Sequence, residues 1–173
     1  MVLDLTGQTA AGGEENKQRQ NQQLVSSPQR PTRTISPTDL NKLFHSAIVS
    51  TGCHIAGSFY AQQSGLILTP DVAYDEIINT LPTNSSALED GLMQISNEGG
   101  LLGLQLSYLW EKINIRDEEH YLTEHPYYGE FMPLGGPYLY NGQLAFIKEW
   151  IMAGAPETGI VANPALLSDS TIF

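Results

Sequence analysis

The chain has 173 residues, 41% of them hydrophobic, with 19 acidic against 8 basic side chains and a formal net charge of -11. That length supports one domain with a proper core and some excess, and two full domains are not expected. No apolar run reaches the roughly 18 to 20 residues that cross a bilayer, so no transmembrane segment is expected, and nucleic acid is set aside because so acidic a body repels phosphate backbones.

The charge is uneven. Residues 1–35 hold Lys17, Arg19, Arg30 and Arg33 against Asp4, Glu14 and Glu15, which leaves 16 acids and 4 bases on residues 36–173. A partner with a basic surface would be steered toward that body. Residues 1–35 are rich in Gln, Asn, Gly, Ser, Thr and Pro and carry few large apolar groups, so they cannot bury enough surface to offset their ordering entropy. They read as a flexible arm or one bound to a neighbouring subunit, with Leu5, Leu24 and Val25 as anchors. The first 20 residues lack the basic and apolar regions of a cleaved signal, which implies numbering after processing or export without one. A single cysteine, Cys53, excludes an internal disulfide and a Cys-only zinc site.

Ser36 as N-cap, Pro37 at the first helical position and Asp39 predict a helix whose apolar face is Leu40, Leu43, Phe44, Ala47 and Ile48. It runs into Cys53-His54. Thr69 and Pro70 predict the start of a second helix with Val72, Ala73, Ile77 and Leu81 on one face, followed by a loop at 82–91. Residues 91–100 are ambiguous and end at Gly99 and Gly100, which break what precedes them. A third helix is predicted through Leu106, Leu109, Trp110 and Ile113. Residues 116–140, polar, aromatic and rich in Pro and Gly, read as an irregular loop, and long ordered loops are often functional. The last helix starts at Asn141 as cap, faces the core with Leu144, Ile147 and Ile151, is flanked by Phe146 and Trp150, and stops at Gly154 and Pro156. Residues 158–173 read as a C-terminal tail without a period. Strand signals are scarce, so the expected class is mostly α.

Cys-His ends the haem c attachment motif Cys-x-x-Cys-His, in which a thiol adds to a porphyrin vinyl group and the imidazole beside it ligates iron. A buried cysteine beside a packed histidine would give the same dipeptide. Met132, in "FMPLGGPYL", carries a thioether on a stretch stiffened by Pro133 and Pro137, which suits a second axial ligand as well as a core filler. His120 and His125, with Glu118, Glu119 and Glu124, could hold a metal, but their i, i+5 spacing is poor on a helix and a solvated loop is the simpler reading. His45 could replace an axial ligand or simply sit on the first helix. Asn84-Ser85-Ser86 is a glycosylation sequon of low weight.

Taken in order, "LFHSAIVSTGCH", "GLILTPDVAYDEIIN", "SYLWEKI", "MPLGGPYL" and "LAFIKEWIMAGAPE" resemble the small c-type cytochrome domains of bacterial secreted and respiratory proteins over residues 36–157. The resemblance implies one haem c attached through Cys53, with His54 as proximal ligand and Met132 as distal ligand. It implies one-electron transfer with a redox partner protein rather than substrate conversion. The haem pocket would be walled by Phe44, Trp110, Trp150, Tyr127, Tyr128 and Tyr138. It places the protein in the periplasm or on the extracellular side of a bacterial membrane, or in the mitochondrial intermembrane space. The chain departs from the family where the first cysteine would stand, at Ser50 or, in a longer spacing, at Ile48, so a single thioether is expected. The alternative is a haem-free, cytochrome-like structural or assembly subunit of a larger complex or filament.

Overall fold

The computed structural model describes residues 34–35, 52–160 and 163–172, of 34–35 and 159–160 the backbone alone. They belong to one structural unit, Thr32–Phe173. The helix expected from Ser36, the arm expected at 1–35 apart from Thr34 and Ile35, and Phe44, His45, Ile48 and Ser50 lie outside the described residues. The class is mostly α. The strands assigned among the described residues are β1 (Thr34–Ile35) and β2 (Gly159–Ile160), a two-residue antiparallel pair with Thr34 opposite Ile160.

Seven α-helices follow among the described residues: α1 (Phe59–Ser64), α2 (Ala73–Ile77), α3 (Ser85–Glu89), α4 (Gly100–Gln105), α5 (Tyr108–Ile113), α6 (Glu118–Glu124) and α7 (Asn141–Met152). Only α7 exceeds two turns. An isolated two-turn helix has too few hydrogen bonds to offset nucleation, so these elements depend on tertiary packing. α7 supplies most of it. Leu144, Ile147 and Ile151 are fully buried as their spacing predicts, and so are Phe146 and Trp150, which were expected only to flank the core. These five join Leu68, Ile77, Ile95, Trp110, Ile113 and Leu139 in the main apolar cluster. The cap of α7 is Tyr140, whose N–H donates to the Gln143 side chain at 2.8 Å; Asn141, the expected cap, is the first helical residue.

Several boundaries differ from the sequence reading for local reasons. α1 was not foreseen; Ser58 caps it by accepting from Ala61 N–H, and Gly65 ends it in the left-handed region. α2 begins three residues after Pro70 and stops where Ile78 leaves to bridge Ile95, so Leu81 is exposed rather than core. The expected loop at 82–91 contains α3, capped by the Asn84 side chain on Ala87 N–H at 3.0 Å. The third helix is broken at Leu106 and Ser107. The fully buried Ser107 hydroxyl donates to Gly103 C=O at 2.6 Å and accepts from Ser96 N–H at 3.0 Å, so one side chain ties two segments together at the break. The expected irregular loop from 116 instead continues a 3-10 turn (Ile115–Asp117) into α6 before becoming irregular.

The segment read as a tail docks through a 3-10 turn (Pro164–Ser168) on α7. Gly142 N–H donates to Asp169 C=O at 3.2 Å and Asn141 N–H to Thr171 C=O at 2.9 Å. The first turn of a helix leaves such donors unpaired, and here the tail satisfies two of them. A Cβ at Gly142 would run into the Leu166 carbonyl oxygen, so the close approach requires glycine at that position.

Candidate functional site

Cys53 and His54 sit at the start of a closed loop. Ser58 hydroxyl donates to Cys53 C=O, and Leu68 N–H donates to His54 C=O at 2.9 Å, which pins the dipeptide from both sides. The His54 ring is buried, with Nδ1 3.2 Å from Leu66 C=O and 3.4 Å from Ser64 Oγ. A carbonyl can only accept, so Nδ1 carries the proton and Nε2 keeps its lone pair. Nε2 has no hydrogen-bond partner among the described residues. Burial lowers the His54 pKa, partly offset by the Leu66 carbonyl, and thus favours the neutral ring that a metal requires.

Met132 comes to the same place from a loop 78 residues further on. Its N–H donates to Lys112 C=O at 2.7 Å, and its side chain packs against the main apolar cluster. The Met132–Pro133 and Gly136–Pro137 peptides are cis. His54 and Met132 line one cavity with Leu66, Leu68, Leu109 and Lys112. Cys53, half-buried, is not part of that lining.

The aromatic wall is not the expected one. Trp110 and Trp150 face the main apolar cluster, Tyr127 is 79% exposed, and Tyr138 is also exposed. Tyr128 lies one layer out, in a second cluster with Tyr121, Phe131, Ala87 and Leu92. The aromatic residue on the cavity is Tyr108.

Sequence reasoning missed Lys112, which reads as a surface position on an amphipathic helix yet is only 6% exposed. Its Nζ donates to Tyr128 C=O at 2.9 Å and to Tyr121 Oη at 3.1 Å, and lies 5.8 Å from the Tyr108 ring centre and 5.7 Å from that of Tyr121. Burial pushes its ammonium down to about 8, against a smaller upward pull from Glu130. The tyrosines shift the other way: burial pushes the Tyr108 hydroxyl up to about 12 and raises Tyr121 further. The cation is therefore held by neutral oxygens and ring faces.

The donors for a haem are only partly assembled: the imidazole and the thioether share one cavity with apolar lining, and the thiol, one residue from the imidazole, lies off it. The space is narrower than the group. The cavity volume is about 120 Å³. Ligand pockets usually run to roughly 300–1,000 Å³, so the cavity as it stands is too small for a porphyrin.

Glu111, His120 and His125 form a second cluster of donors on α5, α6 and the residue after α6. The stretch expected to be a solvated loop is helical as far as Glu124, His125 leaves the helical path just after it, and Glu111 joins the two histidines from another helix. The chain matches no family model, no curated protein and no solved structure. Among the described residues no helix is long and apolar enough to cross a membrane.

Proposed function

We propose that this chain is a monohaem c-type cytochrome carrying out one-electron transfer, in which His54 and Met132 would ligate the haem iron and Cys53 would be its single thioether anchor. The observation that carries the reading is the meeting of His54 and Met132 at one cavity. When bound, the haem iron supplies the one-electron couple. The Leu66 carbonyl orients the imidazole and raises its basicity, as the outer partner of a metal-bound histidine does. Leu66, Leu68 and Leu109 line the cavity with apolar surface that would exclude water from the group. The setting is the periplasm or extracellular side of a bacterial membrane, or the mitochondrial intermembrane space.

Purified after haem-sufficient expression, the protein should show a Soret band that survives acid-acetone extraction. Cys53→Ala should make the haem extractable, and Met132→Ala should weaken the sixth-ligand signal without detaching the haem. A colourless protein overturns the reading. It would favour the second one, a haem-free structural or assembly subunit, which the cavity volume of about 120 Å³ and the lone cysteine support.

A further inference from the structure

Two imidazoles and a carboxylate brought together from separate elements make a ligand set that zinc takes up readily, with a fourth position left for water. In this chain the ligand atoms of Glu111, His120 and His125 all lie within 4.8 Å of one another. None of the three is fully buried or fully exposed, so an ion can enter and still be shielded from bulk water on one side.

Each ring is already prepared. His120 turns Nε2 toward Glu111, 3.9 Å from Oε2, while its Nδ1 lies 3.3 Å from the Glu124 carboxylate. A carboxylate behind one nitrogen holds the proton there and leaves the other nitrogen basic, which is the usual outer arrangement of a metal-bound histidine. His125 stacks on Tyr128 with ring centres 4.3 Å apart and meets the His120 ring edge to face at 5.0 Å. Its buried Nδ1 has no hydrogen-bond partner among the described residues, so no hydrogen bond would have to be given up for that nitrogen to ligate a metal.

The surrounding charge favours a cation. Asp117 and Glu124 act on Glu111, and Asp90 and Glu124 act on His125. A divalent ion is attracted by these carboxylates and relieves their repulsion of Glu111.

We propose that Glu111, His120 and His125 bind one divalent transition-metal ion of the zinc type, with Glu124 as the outer partner of His120. Ligand atoms around tetrahedral zinc sit roughly 3.4 Å apart at metal bonds of about 2.0–2.2 Å, so the cluster must contract by about 1 Å through side-chain rotation. The ion would clasp α5 to α6. Residues next in sequence to two of its ligands, Lys112 and Tyr121, are hydrogen-bonded to each other, so the clasp adjoins the cavity without being part of it.

The full chain, stripped with EDTA, is titrated with zinc chloride by calorimetry and then studied by zinc-edge X-ray absorption, which reads the ion whether or not haem is present. The expected result is one equivalent per chain, two imidazoles in the absorption fit, and a Tm higher by about 5 to 10 °C at hundredfold excess over Kd. Glu124→Gln should weaken binding about 10- to 100-fold, and His120→Ala should abolish it. Glu111→Gln gives a second ligand variant of nearly unchanged shape, against any folding defect in the first. Zinc affinity unchanged in both His120→Ala and Glu111→Gln, or no binding by the native chain, overturns the proposal.

Discussion

The two apolar clusters of this protein are built on different terms. The main cluster, centred on α7, is aliphatic and tryptophan-rich, and Trp150 satisfies its indole N–H on Pro156 C=O at 3.0 Å while its ring is wholly buried. The second holds three tyrosines whose oxygens are all employed: Tyr108 on Tyr128 C=O at 2.8 Å, Tyr121 on Gly129 C=O at 2.6 Å, and Tyr128 on Asp90 at 2.7 Å. One cluster excludes water and holds the chain together. The other uses hydrogen bonds to place a buried cation beside a cavity, an arrangement with little to offer stability because ammonium desolvation opposes its contacts. The difference separates the part that folds the protein from the part that equips it.

Breaking the first cluster should therefore cost most. Trp150→Ala removes the largest fully buried side chain and its indole bond, and chemical denaturation should show a loss of about 3 to 5 kcal/mol. Gly142→Ala attacks the same helix from outside, by driving the tail backbone off its first turn. A loss on the order of 1 to 3 kcal/mol should appear together with faster proteolysis within residues 163–172. In the second cluster Tyr121→Phe deprives Lys112 of one acceptor and Gly129 C=O of its donor, and should cost about 1 to 2 kcal/mol.

Lys112→Met sharpens the contrast by its sign. Tyr128 C=O keeps the Tyr108 hydroxyl and Tyr121 keeps Gly129, so the variant should be within about 1 kcal/mol of the native protein at pH 7, or more stable. The pH profile distinguishes it further. The folded lysine releases its proton near 8 and the unfolded one near 10.5, so between pH 8 and 10 the unfolded state binds more protons and native stability rises with pH. The rise should be on the order of 1 to 2 kcal/mol and absent in Lys112→Met. It ends above pH 10, where the tyrosines, held protonated in the fold, reverse the slope.

What the sequence made legible follows the same division. The α7 stripe, the buried Leu109, Trp110 and Ile113, and the mostly helical class come from periodicity, which reports burial along one regular element. The split at Ser107 does not, because a serine in an apolar helical run gives no sign that its hydroxyl will bridge two segments. The meeting of Lys112 with Tyr121 and Tyr128, and of Glu111 with His120 and His125, is set by how α5 and α6 cross, a property of tertiary packing and not of spacing. His54 and Met132 were named from resemblance. Their shared cavity is a fact of the fold, whereas the tryptophans assigned to the pocket were taken up by the main core.

The paired bonds of His54, its carbonyl to Leu68 N–H and its ring to Leu66 C=O, also have a kinetic meaning. The Leu68 amide cannot exchange its proton with solvent until the segment carrying the imidazole lets go, so its exchange rate gauges the free energy of that release. A slow Leu68 amide amid faster neighbours would mark the imidazole as held in place before any ligand arrives, and a further slowing on loading would measure how much more firmly the ligand holds it.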